Sequence, residues 1–231
     1  MTSIWNHHPG TQWLLITVML LLTLFPVHLW GQDVTRPLHP RERIPKEYAS
    51  WSLFLICNKD WLKHESKEKM QAFHKEFRAF GRGIGADHVA VLFLNPSPLR
   101  DVMEVNGDLT EYVDINRHIA YCTKFKLRST ESPHVLVTTI YPDLPEAMTG
   151  NKVVLAFNEL STDDISYLLG KVVDQLLLEG LNQAALDSAA YWLAWQRSLE
   201  TVYDTVSGLL KRVKLTIDTK LVKLEIGGEM K

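Results

Sequence analysis

The chain has 231 residues, of which 46% are hydrophobic and 23% charged, the profile of an ordinary globular protein with one core and room for extensions. Its formal net charge of -2 gives no electrostatic footprint for a nucleic acid. Two cysteines, Cys57 and Cys122, exclude a disulfide scaffold and a paired-CxxC zinc ribbon, while leaving one bridge open.

The first element is apolar. In "WLLITVMLLLTLFPVHLW", residues 13–30, an unbroken run from Trp13 to Phe25 is closed by Pro26 and His28. That length suits a signal-peptide core, with Gly31 as a small residue before a cleavage point at Gln32. Taken whole, the 18 residues 13–30 reach about 27 Å as a helix, enough for a thin bilayer, so an uncleaved transmembrane anchor is the second expectation. Arg36, Arg41, Arg43 and Lys46 follow the run and none precedes it, which for an anchor places the globular part on the cytoplasmic side. Export to a periplasmic or secreted location, or membrane anchoring through residues 13–30, follows as the expected localisation. Residues 32–49, rich in proline and charge, read as a linker.

From residue 50 the periodicities are clean. "SLFLIC" is a buried strand, and Met70, Phe73, Phe77, Phe80 and Ile84 alternate threes and fours, the stripe of an amphipathic helix ended by Gly81, Gly83 and Gly85. "HVAVLFLN" (88–95) reads as a second strand, and Asp114 as the cap of a helix with Ile115, Ile119, Cys122 and Phe125 on one side. Two strand-and-helix units in succession predict a parallel pair. "HVLVTTIYPD" (134–143) and "KVVLAFN" (152–158) lie too close for a crossover helix, so they pair antiparallel. Ser161 and Asp164 then open a helix bearing Ile165, Leu168, Leu169, Val172, Val173 and Leu176.

The order strand, helix, strand, helix, strand, strand, helix, with Pro133 directly before the third strand, resembles the thioredoxin-like fold superfamily over residues 50–180. The resemblance implies an α/β three-layer sandwich, β-α-β-α-β-β-α, and a cis-proline at Pro133. Redox-active members join the first strand and helix by a Cys-x-x-Cys pair, in which one thiolate attacks and the other resolves. Here the chain reads Cys57-Asn58-Lys59-Asp60: with Cys57 at the attacking position the resolving one is Asp60, which cannot close a disulfide, and with Cys57 as the last strand residue it lies before the nucleophile position. The redox motif is therefore missing. Cys57, at the end of an apolar run, reads first as a small buried hydrophobe. A single-cysteine thiol oxidoreductase or redox sensor using Cys57 is the alternative, and a Cys57–Cys122 bridge stays open. Cys122 lies on the apolar stripe of its own helix.

Other chemistry finds little support. His64, His74, His88, His118 and His134 form no HxxxH or HExxH pair, so no metal site is expected. Asp163 and Asp164 belong to the first turn of a helix, where carboxylates complement the dipole. "GRGIG" (81–85) ends a helix where a phosphate site needs to begin one, and no GxSxG elbow or Walker motif occurs. No cofactor is implied.

Residues 181–231 extend beyond the resemblance. Trp192, Trp195, Leu199, Val202, Val206, Leu209 and Val213 follow a 3.5-residue period, a coiled-coil spacing. The seam either packs on the chain's own domain or joins a protein partner or a second copy, with Trp192, Trp195, Leu199 and Val202 as anchors. "VKLTIDTKLVKLEIGG" alternates apolar and polar residues about "DTK", a hairpin or edge strand. The expected function is accordingly a membrane-targeted, redox-inactive interaction or assembly module.

Overall fold

The computed structural model describes residues 35–62, 67–84, 87–95, 111–157, 163, 165–170, 174, 214–218 and 223–226. They belong to one compact unit spanning Asp33–Lys231. Seven strands, β1 (Thr35–Leu38), β2 (Ser50–Leu55), β3 (His88–Phe93), β4 (His134–Thr138), β5 (Lys152–Ala156), β6 (Lys214–Asp218) and β7 (Lys223–Ile226), form a mixed sheet in the order β1-β3-β2-β4-β5-β6-β7. Two helices, α1 (Lys67–Ile84) and α2 (Ile115–Lys124), follow β2 and β3 respectively, and residues 165–170 are helical. The protein is thus mixed α/β.

Strands β2 and β3 run parallel, with Leu53 opposite Val91, as the intervening helix requires. β4 pairs antiparallel with β2, Leu55 facing His134, and β5 antiparallel with β4. Every residue of β2, β3, β4 and β5 is buried, which explains their continuous apolar runs. Alternation along β2 divides the core in two. Phe54 points toward α1, its ring centroid 5.0–5.4 Å from those of Phe73, Phe77 and Phe80. Trp51, Leu53, Leu55 and Cys57 join Val91, Phe93, Tyr121, Cys122, Phe125 and Leu136 in a cluster on the α2 side.

Helix α2 starts where the sequence places it: the Asp114 carboxylate accepts the Arg117 amide at 3.2 Å. Arg117 stacks its guanidinium 4.2 Å from the centre of the Phe93 ring and donates to the carbonyls of His39 and Glu42. Helix α1 follows a 3-10 turn at Lys59–Leu62 and spans the whole stripe from Met70 to Ile84. It also continues through Gly81 and Gly83, whose backbone freedom lowers helix propensity without forbidding a helix.

Three expectations need correction or placement. Part of the segment read as linker enters the sheet: β1 pairs parallel with β3, Thr35 opposite Ala90. The transmembrane helix is not upheld, because no helix among the described residues is long and apolar enough to cross a membrane. The apolar run behind that reading stops at Pro26, short of the roughly 20 residues a span needs; residues 13–30 themselves lie outside the described residues, as do Trp192, Trp195, Leu199 and Val202. The tail does form an antiparallel pair, β6 with β7, and β6 adds to the main sheet beside β5.

Candidate functional site at the strand-helix bridge

The chain leaving β2 is the place where the most reactive side chains meet. Cys57 follows the last β2 residue by two positions, and its sulfur is bonded to that of Cys122 on α2, with the Cα atoms 5.6 Å apart. Cys57 is the buried core residue the sequence suggests, and it is also bonded: neither cysteine is free, so the single-cysteine catalyst has no free thiol in this form. The physical reason is the crossing of α2 over the end of β2. One turn of α2 then brings Cys122 over Cys57, a contact that no local pattern encodes.

Both half-cystines are buried, Cys57 at 7% and Cys122 at 4% relative exposure, so the bridge presents little sulfur to an incoming thiol. Asp60 is exposed in the 3-10 turn, and its amide donates to the Asn58 side chain at 3.0 Å.

The Ser132–Pro133 peptide is cis, the isomer expected there. Ser132 is buried beside the bridge, where its Oγ accepts the Cys57 amide at 2.9 Å and the Asn58 amide at 3.3 Å. Those two N–H groups have left the sheet ladder, and without the hydroxyl they would be unsatisfied in a buried setting. The Pro133 carbonyl accepts the Phe157 amide at 3.0 Å, which ties the turn to the end of β5. The next residue, His134, places Nδ1 3.3 Å from Cys57 Sγ.

His118 completes the group. Its ring is fully buried, with Nδ1 3.2 Å from the Ile56 amide and Nε2 3.0 Å from the Phe93 carbonyl. The backbone amide can only donate, so Nδ1 is the acceptor and Nε2 carries the proton. One neutral imidazole thus satisfies the ends of both parallel strands. Burial, which opposes charging, pushes its pKa down to about 3; the Phe93 hydrogen bond works against the shift and the Arg117 charge adds to it.

A second buried histidine, His88, pairs through Nδ1 with Ser50 Oγ at 2.7 Å at the opposite end of the same strands. Desolvation lowers its pKa to about 3. A polar cluster lies at the outer edge of α2, where Tyr121 donates to Asp143 Oδ1 and Tyr141 lies 3.0 Å from Asp143 Oδ2. Burial, then the Asp143 carboxylate, raise the Tyr141 phenol to about 12. Ser50 and His88 are both buried, at 2% relative exposure each, so this hydroxyl and imidazole pair does not face solvent. In the disulfide form, no three His, Cys, Asp or Glu side chains among the described residues are grouped to hold a metal ion.

Sequence reasoning singled out Cys57 and Pro133, which come together here, and passed over Ser132, His118 and His134. "SPH" at 132–134 was the available signal, since residues flanking a proline at a strand start are fixed in direction by it. No protein-family model matches the chain, and neither a curated protein nor a solved structure matches it.

Proposed function

We propose that the chain is an exported, redox-inactive thioredoxin-like module that acts by binding a protein partner. The observation that carries this reading is the spending of its only two cysteines on one buried bridge between β2 and α2. The thioredoxin-like assignment is supported by parallel β2 and β3, antiparallel β4 and β5, and a cis-proline directly before β4. Export is supported by the bridge, because such bonds persist in oxidising compartments, and by the apolar run that precedes the domain. Binding is supported by the heptad spacing of Trp192, Trp195, Leu199 and Val202.

Two measurements test the two halves of this reading. The oxidised protein, incubated with a reduced dithiol peptide, should leave the peptide reduced; catalytic turnover would overturn redox inactivity. In sedimentation, the protein should associate with itself or with a partner subunit, and the Trp192→Ala, Leu199→Ala double variant should weaken that association by several kcal/mol if these are central anchors. A wild-type monomer that captures no partner would remove the binding half.

A second reading is favoured by one contact, His134 Nδ1 to Cys57 Sγ. There the Cys57–Cys122 pair exchanges with substrate dithiols, and His134 gives a proton to the leaving Cys57 thiolate. The dithiol assay distinguishes it, since turnover would then fall in a His134→Ala variant.

A further inference from the structure

We propose that reduction of the bridge turns Cys57, Cys122 and His134 into a three-donor site for a thiophilic d10 cation, Cu+ or Zn2+. The three side chains come from three separate elements, the end of β2, α2 and β4, and they converge on one buried point. Cys57 Sγ and His134 Nδ1 are 3.3 Å apart. A thiolate at about 2.3 Å and an imidazole nitrogen at about 2.0 Å from one tetrahedral ion stand roughly 3.5 Å from each other, so this pair already has nearly the required span. The two sulfurs must part to roughly 3.8 Å, the span of two thiolates on the same ion. The 5.6 Å between their Cα atoms allows this by side-chain rotation.

Donor chemistry selects the ion. Two thiolates and an imidazole suit Cu+ and Zn2+, and not the oxygen-seeking Mg2+ or Ca2+. Burial keeps water from competing for the ion, and the cation's charge offsets the cost of deprotonating two thiols in an apolar cluster. The site also has a scaffold that does not depend on the bridge. His118, one turn before Cys122, holds α2 to the ends of β2 and β3 through Ile56 and Phe93, and Arg117 fastens the same turn to the carbonyls of His39 and Glu42. Ser132 fixes the Cys57 backbone from the other side. Breaking the covalent link therefore leaves the donors facing each other.

The steps balance. Two molecules of a small thiol reduce the bridge, giving one small-molecule disulfide and two cysteine thiols. The cation then displaces the two thiol protons to solution and takes Nδ1 of His134 as its third donor, the ring proton moving to Nε2 by exchange with solvent. Oxidised and metal-bound forms are alternative end states of the same three residues.

The test uses the full chain under anaerobic conditions, oxidised or reduced, with Zn2+ alone or Cu+ alone in competition with a chromophoric chelator. The reduced protein should take one equivalent and the oxidised protein none. His134→Ala should bind at least tenfold more weakly and Cys122→Ser should lose the site. Tighter retention of Cu+ would mark a three-coordinate site, and of Zn2+ a site completed by water; each outcome supports the proposal. The thermal midpoint of the reduced chain should rise with metal, and should rise less for His134→Ala, whose intact bridge shows in the oxidised state that it still folds. Equal uptake by reduced and oxidised protein, equal affinity in His134→Ala, or a reduced chain that unfolds and is not restored by either ion would overturn the assignment.

Discussion

Cys122 stands one turn after His118 on α2, and the two side chains grip consecutive residues of the chain leaving β2: His118 accepts the Ile56 amide and Cys122 is bonded to Cys57. One link is a hydrogen bond and the other is covalent, yet they fix the same helix to the same strand end. The covalent one closes a loop of 65 residues. Cross-linking a loop of that size removes enough unfolded-chain entropy to stabilise by about 4 kcal/mol. Urea unfolding of the oxidised protein against the Cys57→Ala, Cys122→Ala double variant should differ by about that amount, with the variant still folded because the His118 and Ser132 contacts remain. A difference near zero would mean that the bridge places no net restriction on the unfolded chain.

His118 should matter nearly as much. Replacing it with Ala leaves the Ile56 amide buried without that partner, at about 1–3 kcal/mol, while the Phe93 carbonyl still accepts the Asp114 amide at 3.2 Å. The pH dependence has a defined sign. The folded pKa values of His118 and His88 lie near 3 against an ordinary 6.5, so between those values the unfolded chain binds more protons. Stability is therefore complete above pH 6.5 and declines as the pH falls toward 3, by up to about 1.4 kcal/mol per pH unit for each histidine. Denaturation at pH 7 and pH 5 should give a shallower dependence in His118→Ala, by one proton.

Two serines on the same face of β2 should respond in opposite ways. Ser50 Oγ bonds His88 Nδ1, whereas Ser52 Oγ is buried with no hydrogen-bond partner. Ser50→Ala strands a buried ring nitrogen and should cost about 1–3 kcal/mol. Ser52→Ala removes an unsatisfied hydroxyl and should be neutral or stabilising by up to about 1 kcal/mol. Chemical denaturation of both variants checks the contrast, and a large loss from Ser52→Ala would reveal a partner for that hydroxyl.

Phe54 is the hub of the other layer, fully buried against three phenylalanines of α1. Phe54→Ala opens a cavity under the helix and should cost about 3–5 kcal/mol, while Phe54→Leu should recover more than half of that loss. Hydrogen exchange in α1 should accelerate in proportion, because its packing partner has gone.

Local pattern determined much of this protein. The spacing of Met70, Phe73, Phe77 and Phe80 specifies a helix with one apolar face, all four buried, and Asp114 specifies where the next helix starts. The mainly apolar stretches at 50–55, 88–93, 134–138 and 152–156 specify strands covered on both faces, and every residue in them is buried. Short connections fix the antiparallel pairing of β4 with β5 in the same local way. Contacts between distant residues are another matter. "TRPL" carries no strand signature, and it joins the sheet because β3 offers it an open edge. Cys57 and Cys122 each sit in an apolar context that reads as core, which both are; that they are also bonded depends on how α2 crosses the end of β2. The same crossing gives His118 its two backbone partners and brings His134 to the sulfur of Cys57. Periodicity records the buried face of α1, but on α2 the expected Ile119 is exposed at 40% while His118 and Tyr121 are buried. The partner on a face is set by packing between elements, and only the tertiary structure decides it.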